Sequence, residues 1–202
     1  MNPLVIAIGG ATGTGKSTVA TEAAHRLGIT RLTSTDSIRQ TMRAFFSREF
    51  MPSVHYSSFE AGAAVPDADD PLTAGFIEQS RNVLVGVRAV IDRALEEGWS
   101  IILEGVHLVP GMLPLNVEGA VIRQCVLAID DETMHAQHFF SRSGDSERPL
   151  ANYLDHFAEI RRLQRFIVGR AEREGVPVLE NVDAGATTDA LLGLVQAAGA
   201  PL

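Results

Sequence analysis

One stretch limits the fold of this chain more than any other: Gly10-Ala11-Thr12-Gly13-Thr14-Gly15-Lys16-Ser17, a complete G-x-x-x-x-G-K-[ST] phosphate loop. Such a loop works only between a buried strand and a helix N-terminus, because backbone N–H groups from both must converge on one anion. Both flanks are present. Leu4-Val5-Ile6-Ala7-Ile8 is an unbroken apolar run suited to a buried parallel strand, and Thr18 to Ala24 opens a helix. Lys16 is the one lysine in the chain; the other sixteen basic residues of the Lys/Arg pair are arginine. A compact ammonium fits between the glycine-rich backbone and the phosphates, where a planar guanidinium is too wide. Gly10, Ala11, Thr12, Gly13, Thr14, Gly15, Lys16, Ser17 and Thr18 are therefore assigned to a nucleoside triphosphate, read as ATP, with Ser17 a ligand for Mg²⁺.

Apolar runs and helical periods alternate beyond the loop, which specifies an α/β chain: a phosphate-loop NTPase fold whose five-stranded parallel sheet is sandwiched by helices. Strands are expected at 4–8, 30–34, 99–103, 120–129 and 176–179. Helices are expected from 18 to Gly28, over 36–46, from Asp70-Pro71 to Gly98, over 131–141, as one long element over 151–174, and over 188–198. Residues 47–70 show no clean period, and 143–149 are polar. The expected organisation is one kinase domain over 1–202, with an acceptor-site insert at about 36–70 and a mobile lid at about 142–150.

A net charge of −8 argues against a general nucleic-acid surface, so arginines that serve an anionic small molecule must be placed locally. Cys125 sits in an apolar strand as a small buried hydrophobe. The N-terminal apolar run is too short for a signal peptide or a membrane span, which sets the cytoplasm as the expected location. The oligomeric state stays open, a homodimer included.

Phosphoryl transfer asks a protein for positioning and charge stabilisation, and three clusters suit those tasks. Asp36, Arg39 and Arg43 fall at i, i+3 and i+7 after a predicted strand end, where open α/β sheets bind ligands. Asp36 would orient or deprotonate a hydroxyl while the arginines hold an anionic group; a plain helix cap with a surface ion pair is the other reading. Glu104 ends an apolar strand where phosphate-loop enzymes place a Mg²⁺-side carboxylate, and Gly105 after it would admit a ligand closely. Asp36 and Glu104 are interchangeable between the metal and acceptor sides. His107 is assigned to the acceptor, with a hydrogen-bonded core histidine an equal alternative. Arg142 and Arg148 flank the polar segment and would close on the transferred phosphate. His135, His138 and Arg142 share a helical face without a third metal ligand, and the roles of Arg161, Arg162 and Arg165 stay open.

The chain resembles the 2-phosphoglycerate kinase family. The resemblance lies in Ile8 to Thr18, Ser34-Thr35-Asp36-Ser37-Ile38-Arg39, His55-Tyr56-Ser57-Ser58-Phe59-Glu60-Ala61, Leu103 to Gly111, Ile160 to Gln164 and Val176 to Asn181. It implies ATP-dependent phosphorylation of the free hydroxyl of 2-phosphoglycerate to 2,3-bisphosphoglycerate. It also gives His55, Ser57 and Ser58 an acceptor-site role, where the residues alone suggest an ordinary loop. The extra N-terminal domain of longer members is not expected here. A GTPase is excluded because no second lysine exists for a guanine-reading Asn/Thr-Lys-x-Asp motif. A nucleoside or nucleotide kinase and a non-catalytic ATP-sensing module remain as alternatives.

Overall fold

In strand β1 (Leu4–Gly9) every residue is buried, and alternate side chains face opposite ways. Leu4, Ile6 and Ile8 pack with Val19, Ala20 and Ala23 of helix α1 (Lys16–Leu27) and with Leu191 and Val195 of α7 (Ala184–Ala197). Val5 and Ala7 pack on the other face with Val83, Val87 and Ile91 of α3 (Pro71–Glu96). An apolar strand with no polar side therefore ends up between two helical layers. Truncating a fully buried residue such as Ile6 to alanine would cost about 2–5 kcal/mol.

A computed structural model of the chain describes residues 2–114, 117–142 and 150–197. Its remaining elements are β2 (Leu32–Ser34), α2 (Thr35–Phe45), β3 (Ile101–Glu104), β4 (Val121–Ala128), α4 (Glu132–Arg142), α5 (Leu150–Asp155), α6 (Phe157–Glu174) and β5 (Val178–Glu180). The sheet order is β2-β3-β1-β4-β5, and every pairing is parallel. Parallel pairing puts all the strand carboxyl ends on one edge. There Ile8 pairs with Glu104, and Glu104 in turn pairs with Ser34.

Several boundaries differ from the sequence expectation. The single helix expected over 151–174 is two helices, α5 and α6, separated at His156 (φ −108°, ψ 20°). The His156 ring lies 5.3 Å from the Phe59 ring and its Nε2 lies 3.6 Å from Glu60, tertiary contacts that no helical period records. Helix α7 starts before 188 because the Asp183 carboxylate accepts from Ala186 N at 2.8 Å, a cap hidden by the glycine at 185. The patternless 47–70 stretch contains two 3₁₀ turns, Pro52–His55 and Ser58–Ala64. The second turn lies so close to α3 that a Cβ on Gly75 would come within 2.1 Å of Ala61 O. Among the described residues no helix is long and apolar enough to cross a membrane.

Candidate active site

The phosphate loop leaves β1 and enters α1 through Gly15, whose φ of +79° is a left-handed conformation that glycine adopts without strain. Lys16 is buried and its Nζ donates to Ala11 O at 2.6 Å, inside the loop. Thr14 Oγ1 donates to the same carbonyl at 3.0 Å. Ser17 follows one residue later and donates from Oγ to Glu104 Oε1 at 3.2 Å. That contact is a consequence of register, since the pairing of Ile8 with Glu104 carries the β3 carboxylate to the mouth of the loop. A hydroxyl and a carboxylate within hydrogen-bond reach, beside an anion cradle, form the hard-oxygen donor set that Mg²⁺ takes.

Across Glu104, Ser34 starts the second wall. It is Ser34, not Asp36, that caps α2, accepting from Ser37 N at 3.0 Å. Asp36 is thereby left for another use: its Oδ1 accepts from Arg39 Nε at 3.0 Å and Nη2 at 2.7 Å. Arg39 is not a surface residue. It is 4% exposed, and its Nη1 donates to Val54 O and Tyr56 O at 2.9 and 3.0 Å. Four of its five N–H groups thus go to protein acceptors, so Arg39 fastens Asp36 to the first 3₁₀ turn.

His107 takes up the place of the hydrogen-bonded core histidine that the sequence offered as the equal alternative. It is 1% exposed, with Nε2 3.1 Å from Gln79 Oε1 and Nδ1 2.8 Å from Thr35 Oγ1. An amide oxygen only accepts, so Nε2 carries the proton and Nδ1 accepts from Thr35. Burial, with the Arg39 charge nearby, pushes the His107 pKa down to about 3, and the ring stays neutral. Gln79 in turn donates to Ser53 O and Tyr56 O at 2.6 and 2.9 Å. Gly105 is reassigned. A Cβ there would fall 1.9 Å from Thr35 Oγ1, so the glycine admits Thr35 and not a ligand.

The other expected residues are placed as follows. Ser58 is buried, its Oγ 3.5 Å from Thr12 Oγ1, and so brings the second 3₁₀ turn to the loop. Ser57 stands at the N-terminal end of that turn. His55 donates from Nε2 to Phe46 O at 2.9 Å and ties off the end of α2. Arg43 is exposed and donates to Gln40 at 3.0 Å. Arg142 ends α4, and Arg148 with most of the expected lid lies outside the described residues. His135 and His138 face the loop backbone from outside, at 2.8 Å from Thr12 O and 3.1 Å from Gly13 O. Arg161 is buried on Ile129 O and Asp130 O, Arg162 pairs with Asp70 at 2.8 Å, and Arg165 is exposed.

Thr35, Gln79 and Asn181 were not assigned roles from the sequence. Gln79 had a signal: with Ser80 it lies on α3 between Phe76 and Val83, two polar residues in a stripe that is apolar on either side. Asn181 directly follows β5, is 2% exposed, and donates from Nδ2 to Thr14 O at 2.9 Å. With Thr18 and His138 it lines a cleft of about 230 Å³ on the side of the loop away from Asp36.

No family model matches the chain. It is similar to the 2-phosphoglycerate kinases of three archaea over nearly all of its length. Identity is 43% with that of Methanothermobacter thermautotrophicus (94% of this chain, 64% of the relative). It is 41% with that of Methanocaldococcus jannaschii (96% and 63%) and 40% with that of Thermococcus kodakarensis (94% and 65%). The chain thus spans slightly less than two thirds of the length of these relatives. Among solved structures, a Thermus thermophilus protein matches with a TM-score of 0.59 at 20% identity, covering 100% of both chains. Shikimate kinase from Acinetobacter baumannii matches with a TM-score of 0.54 at 13% identity, covering 100% of this chain and 97% of its own. The five-stranded parallel sheet flanked by helices is the phosphate-loop NTPase fold.

Proposed function

We propose, from that similarity and from the geometry of the strand edge, that this chain is an ATP-dependent kinase. Its acceptor is 2-phosphoglycerate, whose free hydroxyl receives the γ-phosphoryl group to give 2,3-bisphosphoglycerate, ADP and a proton. One observation carries the reading. The paired registers Ile8–Glu104 and Ser34–Glu104 set the loop, the Ser17–Glu104 contact and the Asp36–Arg39 pair side by side on one edge. A triphosphate in the loop and a hydroxyl at Asp36 would then approach each other across Glu104.

The loop backbone and the α1 N-terminus would bind the β- and γ-phosphates, with Lys16 Nζ moving from Ala11 O onto them. Ser17 and Glu104 would hold Mg²⁺, which supplies charge neutralisation between the phosphate groups. Asp36 would orient the acceptor hydroxyl and take its proton as the oxygen–phosphorus bond forms and the bond to the ADP oxygen breaks. Arg39 fixes the position of that carboxylate, while Ser57, Ser58 and Arg43 supply polar groups for the acceptor's own anionic groups. The cleft at Thr18 and Asn181 suits the nucleoside. Residues 36–70 form the acceptor-side insert, and Arg142 and Arg148 would neutralise charge on the transferred phosphate.

ADP release with Mg²⁺-ATP tests this directly, across 2-phosphoglycerate, 3-phosphoglycerate, glycerate, phosphono-hydroxy acids and nucleoside monophosphates. Stimulation by 2-phosphoglycerate above all others is expected. Stimulation by a nucleoside monophosphate instead would make the chain a nucleotide kinase, and ATP binding without any stimulation would make it a sensor.

A further inference from the structure

Three successive carbonyls of the phosphate loop are each met from outside by a side-chain N–H. His135 Nε2 donates to Thr12 O at 2.8 Å, His138 Nδ1 to Gly13 O at 3.1 Å, and Asn181 Nδ2 to Thr14 O at 2.9 Å. A carbonyl oxygen only accepts, so the hydrogen position is settled at all three. In a trans peptide the C=O of one residue and the N–H of the next point in opposite directions. Drawing the oxygens of Thr12, Gly13 and Thr14 outward therefore directs the N–H groups of Gly13, Thr14 and Gly15 away from the three donors. Of these N–H groups, that of Thr14 makes only a long 3.4 Å contact, to Ala11 O.

The first of these donors is itself held in place. His135 is fully buried, its ring lies against Phe139 (centroids 5.7 Å, 24°), and its Nδ1 faces Arg161 Nη1 at 3.2 Å. Arg161 is anchored in turn on the carbonyls of Ile129 and Asp130, just after β4. The loop's glycines make room for these groups. A Cβ on Gly13 would fall 2.4 Å from Phe139 Cζ and 3.1 Å from His135 Nε2, and one on Gly15 would fall 2.2 Å from Asn181 Nδ2. Two glycines usually credited to phosphate approach are thus also required on the face turned away from the phosphates.

We propose that His135, His138 and Asn181 are positioning residues: an external clamp that sets the phosphate loop for a triphosphate before any ligand arrives. None of the three touches a reacting atom. The proposal rests on the nucleotide-binding reading given above, and it adds a prediction that reading does not make. Side chains outside the loop should control affinity for phosphate without altering affinity for the acceptor.

Calorimetric titration with ATP and with tripolyphosphate tests it, alongside the acceptor KM. His138 is half-buried, so H138A probes the clamp without the core cavity that H135A would leave. H138A should weaken both polyphosphate ligands roughly fivefold, the worth of one net hydrogen bond, and leave the acceptor KM unchanged. H138N keeps an N–H donor near the place of Nδ1, and H135Q keeps one near Nε2; both should bind to within about twofold of the wild type. N181D, which removes the donor from Thr14 O, should weaken both ligands. Unchanged tripolyphosphate binding in H138A would overturn the clamp. A loss confined to ATP would overturn it too, since His138 would then be serving the nucleoside. A wild type that binds neither ligand would sink the kinase reading along with it.

Discussion

Replacing Gln79 by leucine separates the acceptor side of the site from the nucleotide side. Gln79 is fully buried and makes three hydrogen bonds, to Ser53 O, to Tyr56 O and with His107 Nε2. Leucine is close in size, so little cavity results and the loss is polar. Tyr56 O retains Arg39 Nη1, and Ser53 O retains only a 3.4 Å contact from Tyr56 N. His107 Nε2–H loses its partner outright. One orphaned buried donor and one weakened acceptor cost about 2–4 kcal/mol together. The added apolar burial returns about 1 kcal/mol. A net loss of about 2 kcal/mol in a domain of this size lowers Tm by about 4–8 °C. Circular dichroism melting reads that shift. Because the bonds lost hold the Pro52–His55 turn, the acceptor KM should rise several-fold while ATP affinity stays within about twofold. A Tm within about 2 °C of wild type would refute the hydrogen-bond accounting. ATP affinity falling in step with acceptor affinity would refute the assignment of this network to the acceptor side.

The two buried neutral histidines make the fold acid-sensitive. Their pKa values fall from 6.5 to about 3 (His107) and about 4 (His135), so the unfolded chain takes up the protons first. Stability is then constant above about pH 6.5 and decreases as pH falls toward those lower values, by about 2 kcal/mol per histidine at pH 5. Urea titrations at pH 7 and 5 measure the difference, and equal stabilities would contradict it. Lys16→Arg should lower kcat/KM at least about a hundredfold despite conserving charge, because the guanidinium misplaces the phosphates. Turnover like that of the wild type would refute this reading of the loop. Asp36→Asn keeps an oxygen for Arg39 and should lose turnover by roughly 10²–10⁴-fold with ATP affinity retained. A parallel loss of ATP binding would move Asp36 to the metal side.

How much of this was legible in the sequence depends on whether the signal was local. The loop, its strand and its helix lie within residues 4–27, so period and motif located them together. Glu104 was legible because an apolar strand ending in a carboxylate needs only four residues to recognise. Asp36 and Arg39 were visible as a pair, but their relation to the 52–56 turn was not. That relation runs through carbonyls of Val54 and Tyr56, which any sequence would present. His107 could be a ligand or a core residue until its partners, Thr35 and Gln79, were found 72 and 28 residues away. His135 and His138 were recognised as sharing a face, yet what that face meets is the loop more than a hundred residues earlier.

The proposed reaction transfers phosphate to the hydroxyl of a phosphorylated three-carbon acid. ³¹P NMR of a mixture with Mg²⁺-ATP and 2-phosphoglycerate tests it most directly. ADP is expected together with a product bearing two phosphomonoester resonances, those of 2,3-bisphosphoglycerate, and no matching inorganic phosphate. A single unchanged phosphomonoester signal, with ADP and inorganic phosphate growing together or with no ADP at all, would contradict it.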